Sequence, residues 1–122
     1  MSGMQQGLTI IVAVQEPARF HAALSLATAN AALDRPTRIF LQADAVAPLR
    51  PPVTAPDDAR YAAAGLPSLG TMLTEALGLG VQITACQSGL ALACMAATDL
   101  PPGVEVSGLV DMLRSDSQLL LV

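Results

Sequence analysis

Short apolar segments alternate with alanine- and leucine-rich segments along this chain of 122 residues, and this alternation constrains the fold more than any other feature. The first apolar segment, LTIIVAV at 8–14, is rich in β-branched residues and nearly continuous in hydrophobicity. That pattern is typical of a strand buried on both faces of a parallel sheet. Further strands are predicted at 37–42, 81–85, 104–108 and 117–122.

Helices are predicted between these strands, at 17–33, from an N-cap at Ser68 to about Leu77, at 88–97 and over 109–115. Strands that alternate with helices form βαβ units, whose crossovers are right-handed and whose helices cover both faces of the sheet. The sequence therefore predicts an α/β fold: a three-layer sandwich around a mainly parallel, five-stranded sheet. The length and the lack of an internal repeat predict a single domain over 1–122.

Residues 43–60 interrupt the alternation with four prolines, at positions 48, 51, 52 and 56. Proline removes a backbone donor and fixes φ, so this segment is predicted to hold neither a long helix nor a central strand. A proline-rich loop of this length inside a domain is expected to be functional or mobile.

The charge pattern excludes several classes of partner. The net charge is −4, there is no lysine, and the six arginines are scattered, whereas a nucleic-acid surface needs clustered cations. No apolar run approaches the roughly 18 residues of a membrane span, and the N-terminus lacks the basic region of a secretory signal. We therefore expect a cytoplasmic protein with free thiols. The low charged fraction, 13%, indicates that another subunit covers part of the surface.

Cys86 is the main candidate for chemistry, because it follows the strand 81–85 and precedes a helix. Functional groups of parallel sheets gather at the carboxyl ends of strands. The free N–H groups and the dipole at a helix N-terminus favour a thiolate. Gln87, Ser88 and Gly89 are small or hydrogen-bonding residues that leave the sulfur open to approach. The alternative is that Cys86 is an ordinary buried cysteine of the core.

The other candidates carry weaker signals. Cys94 is predicted to lie inside the helix 88–97 as a core residue, too far along it to pair with Cys86. Asp44 follows the second strand and is expected at the same edge as Cys86, as a substrate contact or as a turn residue. His21, the only histidine, is interpreted as a bystander. No cluster of ligand residues predicts a metal site.

Several segments in order resemble one family. These are the second strand running into ADAV at 43–46, a helix ending in LGLGV, the segment ITACQSG at 83–89, GVEVSGLVDML at 103–113 and the closing QLLLV. Their order and spacing are similar to those of the DsrE/DsrF-like family, which includes subunits of bacterial sulfur-relay complexes. The resemblance covers residues 8–122.

The resemblance implies a flavodoxin-like or Rossmann-like sandwich that assembles into dimers, trimers or hexamers, with sister sulfur-relay proteins as further partners. It also implies that Cys86 accepts sulfane sulfur as a persulfide and passes it to an acceptor thiol, without an organic cofactor or a metal. On this hypothesis Gln87, Ser88, Gly89 and Asp44 contact the substrate. The alternative hypothesis is a non-catalytic, oligomeric binding or assembly module whose ligand pocket Cys86 merely lines.

Overall fold

The strands of the computed structural model, which describes residues 7–122, form one five-stranded sheet in which every pairing is parallel. The strands are β1 Leu8–Val12, β2 Thr37–Leu41, β3 Gln82–Cys86, β4 Glu105–Ser107 and β5 Gln118–Leu121. Their order across the sheet is β4-β3-β2-β1-β5. The predicted α/β class and the five parallel strands are confirmed.

Within residues 7–122, five α-helices lie in the connections between the strands: α1 Pro17–Ala32, α2 Asp58–Ala63, α3 Leu69–Gly78, α4 Gln87–Leu92 and α5 Leu109–Arg114. The predicted N-cap of α3 is confirmed, since the Ser68 hydroxyl accepts a hydrogen bond from the Thr71 N–H at 3.3 Å. Pro17 occupies the first turn of α1, where a backbone N–H would have no acceptor within the helix. Proline therefore costs no helical hydrogen bond at this position.

The register of the central strands explains why their sequences are apolar. Ile10, Ile39 and Ile83 lie side by side across β1, β2 and β3, and each is fully buried. Side chains alternate between the two faces of a strand, so these isoleucines define one face. The buried side of α1, formed by Phe20, Ala23, Leu24 and Ala27, packs with them in the main core.

The helix α5 lies on the opposite face of the sheet. The chain moves from β1 to β2 to β3 in one direction and returns from β4 to β5 past all of them. Right-handed crossovers therefore place α1 and α3 on one face and α5 on the other. In agreement, Met112 of α5 is buried and borders the same cavity as Thr84, which alternates with Ile83 on β3. The result is the predicted three layers.

Two of the predicted boundaries are wrong in ways that concern Cys86. The third strand continues one residue beyond the prediction and ends at Cys86 itself. The following helix was predicted over 88–97 but ends at Leu92, because the chain turns at Cys94 with a φ of 54°. This turn buries Leu90 and Met95 on either side of it.

The proline-rich segment 43–60 is ordered rather than a plain loop. It begins with a 3₁₀ helix, Ala43–Leu49, and ends in the first turn of α2. The Arg50 guanidinium donates a hydrogen bond to the Ala93 carbonyl oxygen at 2.5 Å. The Asp58 carboxylate accepts from the N–H groups of Ala55, at 2.9 Å, and Leu69, at 3.0 Å. The segment is thus fixed to α4 at one end and to α3 at the other.

No helix within residues 7–122 combines the length and the hydropathy that crossing a membrane would require.

Asp58→Asn tests the fixation of the segment. We expect it to lower the free energy of unfolding by about 1–3 kcal/mol, because an amide replaces one carboxylate oxygen and leaves a backbone N–H without its acceptor. Urea denaturation measures the loss. The control is Asp57→Asn, which removes only an exposed ion pair with Arg60 at 3.4 Å and should cost at most about 1 kcal/mol. Equal denaturation midpoints for the two variants would contradict the assigned role.

Candidate functional site

Cys86 lies at the junction of β3 and α4, at the carboxyl edge of the sheet. It is the last residue of β3 and at the same time the N-cap of α4, with extended backbone angles of φ −70° and ψ 127°. Its neighbour across the sheet is Ser107, the last residue of β4. Only 9% of the Cys86 residue is exposed, so it is almost entirely buried.

Gly89 allows the 3₁₀ helix to lie directly on α4. A Cβ at position 89 would be 2.9 Å from Val46 Cγ1 and 3.0 Å from the carbonyl carbon of Ala43, and closer still to the Ala43 carbonyl oxygen. Real Cβ atoms do not approach other atoms this closely. Ala43 itself adopts a left-handed φ of 51°, which turns the chain from β2 towards α4.

The predicted substrate contacts fall into two groups. Gln87, Ser88 and Asp44 are exposed, with Asp44 on the 3₁₀ helix that contacts both α4 and β3. The structure therefore brings these three residues to the edge where Cys86 lies. Gly89 is buried beneath the 3₁₀ helix, and its visible role is packing.

A polar cavity of about 300 Å³ lies between β2, β3, β4 and α5. Ser107 and Asp111 both line this cavity, and the Ser107 hydroxyl donates a hydrogen bond to the Asp111 carboxylate at 2.5 Å. Asp111 also forms an exposed ion pair with Arg114 at 3.6 Å. Cys86 does not line this cavity, although Ser107 is its partner in the sheet. A second cleft, between Arg50–Pro51 and 98–102, is not lined by Cys86 either.

Arg38 is the residue that the sequence analysis missed. It lies on the central strand β2 and lines the same polar cavity. Its Nε is buried without a hydrogen-bond partner in the described part of the chain, and so is Oγ1 of its register neighbour Thr9. The available signal was an arginine within an otherwise apolar strand, TRIFL. A guanidinium in that position is costly to bury without a partner.

The prediction that Cys94 belongs to the core is wrong. Because α4 ends at Leu92, Cys94 lies in the turn beyond the helix, where it is exposed and left-handed. The N–H of Met95 donates to the Leu90 carbonyl at 2.9 Å, which closes the turn. A residue with positive φ after a helix is usually glycine. Both cysteines are free thiols, and Cys94 is the more accessible one.

His21 contacts α2 and the segment that precedes α3. Its Nε2 donates a hydrogen bond to the Pro67 carbonyl at 3.2 Å, and its ring stacks on Tyr61 with 4.3 Å between the centroids. These contacts join α1 to α2 and to the start of α3. They agree with the interpretation of His21 as a bystander. Among residues 7–122, no group of three or more His, Cys, Asp and Glu side chains is placed to hold a metal ion.

Two solved structures share this arrangement of strands and helices. MTH1491 from Methanobacterium thermoautotrophicum, a protein of unknown function, is 18% identical and matches with a TM-score of 0.72 over 97% of this chain and 100% of its own. The ychN protein of E. coli is 20% identical and matches with a TM-score of 0.69 over the same shares.

The shared fold is an α/β fold with a five-stranded, all-parallel sheet and flanking helices. At these identities the likeness shows the fold alone. No protein-family model and no curated protein sequence matches the chain.

Gly89→Ala tests the close contact between α4 and the 3₁₀ helix. We expect a loss of about 1–3 kcal/mol in the free energy of unfolding, because the added methyl group collides with the Ala43 backbone. The control is Gly78→Ala in α3, where nothing lies within 4 Å of the added atom and the change should be neutral or stabilising. Chemical denaturation of both variants gives the comparison, and an undisturbed Gly89→Ala would contradict it.

Cys94→Gly should raise the free energy of unfolding by up to about 1 kcal/mol, because glycine adopts the left-handed backbone of this turn without steric cost. Cys94→Ala is the control, since alanine keeps the Cβ and is expected to bring no such gain. Thermal denaturation of the two variants measures the difference. A glycine variant no more stable than the alanine variant would contradict the explanation.

Proposed function

We propose that this protein is a sulfur carrier of the DsrE/DsrF-like family, which holds sulfane sulfur as a persulfide on Cys86. The observation that supports it best is the position of Cys86, the last residue of a central strand and the N-cap of the next helix. The order of the ADAV, ITACQSG and GVEVSGLVDML segments and the shared fold add support.

The proposed reaction is a pair of thiolate–persulfide exchanges. The Cys86 thiolate attacks the outer sulfur of a donor persulfide, a new S–S bond forms at Cys86, and the donor leaves as a thiolate. An acceptor thiolate then attacks the outer sulfur on Cys86, which releases Cys86 as a thiolate. Each step exchanges one S–S bond for another, so no external oxidant or reductant is needed.

The environment of Cys86 supports this chemistry in two ways. The first N–H groups of α4 have no acceptor within the helix, and Cys86 is the N-cap at that end, although its side chain accepts no hydrogen bond from them. The Cys86 residue is 9% exposed, and this burial would shield a persulfide on it from bulk solvent. The exposed side chains of Gln87, Ser88 and Asp44 would form the rim that a donor or acceptor protein contacts.

A reducing compartment is part of the proposal, because it keeps Cys86 from forming a disulfide between transfers. We therefore propose a cytoplasmic location, with sister sulfur-relay proteins as donor and acceptor.

The second candidate function is an assembly module without sulfur chemistry. Large apolar side chains that remain exposed on the chain favour it, among them Leu92, Val110 and Leu121. In that case Cys86 would be a core cysteine, and the exposed surface would carry the function.

Persulfide loading followed by intact-mass spectrometry separates the two candidates. The reduced protein is exposed to a small persulfide donor and alkylated, and the labelled peptides are mapped. We expect wild type and Cys94→Ser to gain one sulfur on the peptide that contains Cys86, and Cys86→Ser to gain none there.

The Cys94→Ser control is essential, because Cys94 is the more exposed thiol and would react with a persulfide donor even without a functional role. Transfer from the loaded protein to a second thiol is therefore measured in the Cys94→Ser background. Loading of Cys94 alone would overturn the proposal. A Cys86 that neither loads nor alkylates in the folded protein would identify it as a core residue.

A further inference from the structure

The edge strand β5 exposes three consecutive leucines. Leu119 is 49% exposed, Leu120 is 39% and Leu121 is 70%. In the register with β1, Leu120 lies beside Ile10 on the face of α1, whereas Leu119 and Leu121 lie beside Thr9 and Ile11 on the face of α5. Both faces of this edge are therefore apolar and open.

The main chain of β5 is open along the same edge. The N–H groups of Gln118 and Val122 donate to the Gly7 and Ile11 carbonyls of the neighbouring chain segment, each at 2.9 Å. Because hydrogen-bonding groups alternate sides along a strand, the N–H and C=O groups of Leu119 and Leu121 point away from β1. Nothing in residues 7–122 pairs with β5 on that side.

Edge strands of monomeric proteins usually carry a device that prevents pairing, such as a charge, a proline, a bulge or a very short length. The opposite edge strand, β4, has two of these, since it is three residues long and begins with Glu105. The strand β5 has neither a charge nor a proline, and its pairing with β1 runs without a bulge. The contrast indicates that the β5 edge is covered in the functional protein.

The helix α1 extends the apolar surface on its face of the sheet. Leu26 and Leu33 of the α1 segment are 41% and 58% exposed, and they lie on the flank opposite His21, whose contacts face α3. That flank is on the β5 side of the sheet.

We propose that β5 pairs antiparallel with β5 of a second copy of this chain, on a two-fold axis through Leu120. In this register Leu119 lies opposite Leu121 of the second copy, and the two exchange both main-chain hydrogen bonds. Leu120 lies opposite its own counterpart in a pair without hydrogen bonds. A two-fold axis brings each apolar flank against the same flank of the other copy, so the surface is complementary to itself. The proposal is independent of Cys86.

The area of the surface fits a dimer. The five leucine side chains of this surface, on β5 and the α1 segment, are 39–70% exposed, which leaves on the order of 300 Å² of apolar area at roughly 30 Å² for each methylene-sized group. A standard interface buries about 800 Å² per partner, and in homodimers about 65% of that is apolar. These side chains alone therefore supply most of the apolar area that a stable dimer needs.

Disulfide trapping tests the register. Leu120→Cys is made in a Cys86→Ser, Cys94→Ser background and oxidised, and the products are separated without reductant. We expect a cross-linked dimer, because opposite residues of such a pair have Cα atoms about 4.5 Å apart, within the range of a disulfide. Leu119→Cys is the matched control and should cross-link at least tenfold less, since it is displaced diagonally from its own counterpart. Equal cross-linking of the two variants, or none in either, would overturn the register.

Sedimentation velocity tests the dimer without new cysteines. We expect wild type to be dimeric at tens of micromolar and Leu121→Lys to weaken the dimer at least tenfold, because it places two lysines at the new interface. Leu79→Lys is the control, a leucine of similar exposure, 52%, at the end of α3 and away from β5. A monomeric wild type, or a dimer that resists Leu121→Lys, would overturn the proposal and leave the edge for a different protein.

Discussion

The close contact between Gly89 and the Ala43 backbone is the constraint on which the carboxyl edge of the sheet depends. It lets the 3₁₀ helix after β2 lie on α4. The hydrogen bond from Arg50 to the Ala93 carbonyl joins the C-terminal ends of these two helices. The α4 N-terminus, and therefore Cys86, is fixed between β3 and this cover. A single methyl group at position 89 would separate the layers, so the geometry around the thiol rests on a residue without a side chain.

The elements that depend only on residues close to one another in the sequence could be predicted from it. The β-branched residues Ile10, Ile39 and Ile83 predict central strands because they are buried on any parallel sheet, and Ser68 predicts a helix start because its hydroxyl caps its own helix. The early end of α4 was not predictable, because the turn at Cys94 brings Leu90 and Met95 into a core that exists only in the assembled fold. The order in 43–60 depends likewise on distant partners, such as Leu69 for Asp58.

The candidate site likewise contains one feature that follows from chain order and others that depend on contacts between distant segments. The position of Cys86 at the strand end follows from chain order, since a βα junction of a parallel sheet always lies at the carboxyl edge. The packing role of Gly89 does not follow, because it depends on the path of a segment forty residues earlier in the chain. Arg38 was equally hidden, since only the assembled sheet makes Arg38 the register neighbour of Thr9 and places it on the cavity that α5 also lines.

The strand order determines how far apart the two Cys86 thiols lie in the proposed dimer. Since β3 is three strands from β5, seven strand spacings separate β3 from its counterpart across the axis, or roughly 34 Å at about 4.8 Å each. Antiparallel pairing also points the two carboxyl edges in opposite directions. The two thiols would therefore act as isolated centres that cannot exchange sulfur with each other. Such a dimer is bivalent, and it can engage one partner protein at each end at the same time.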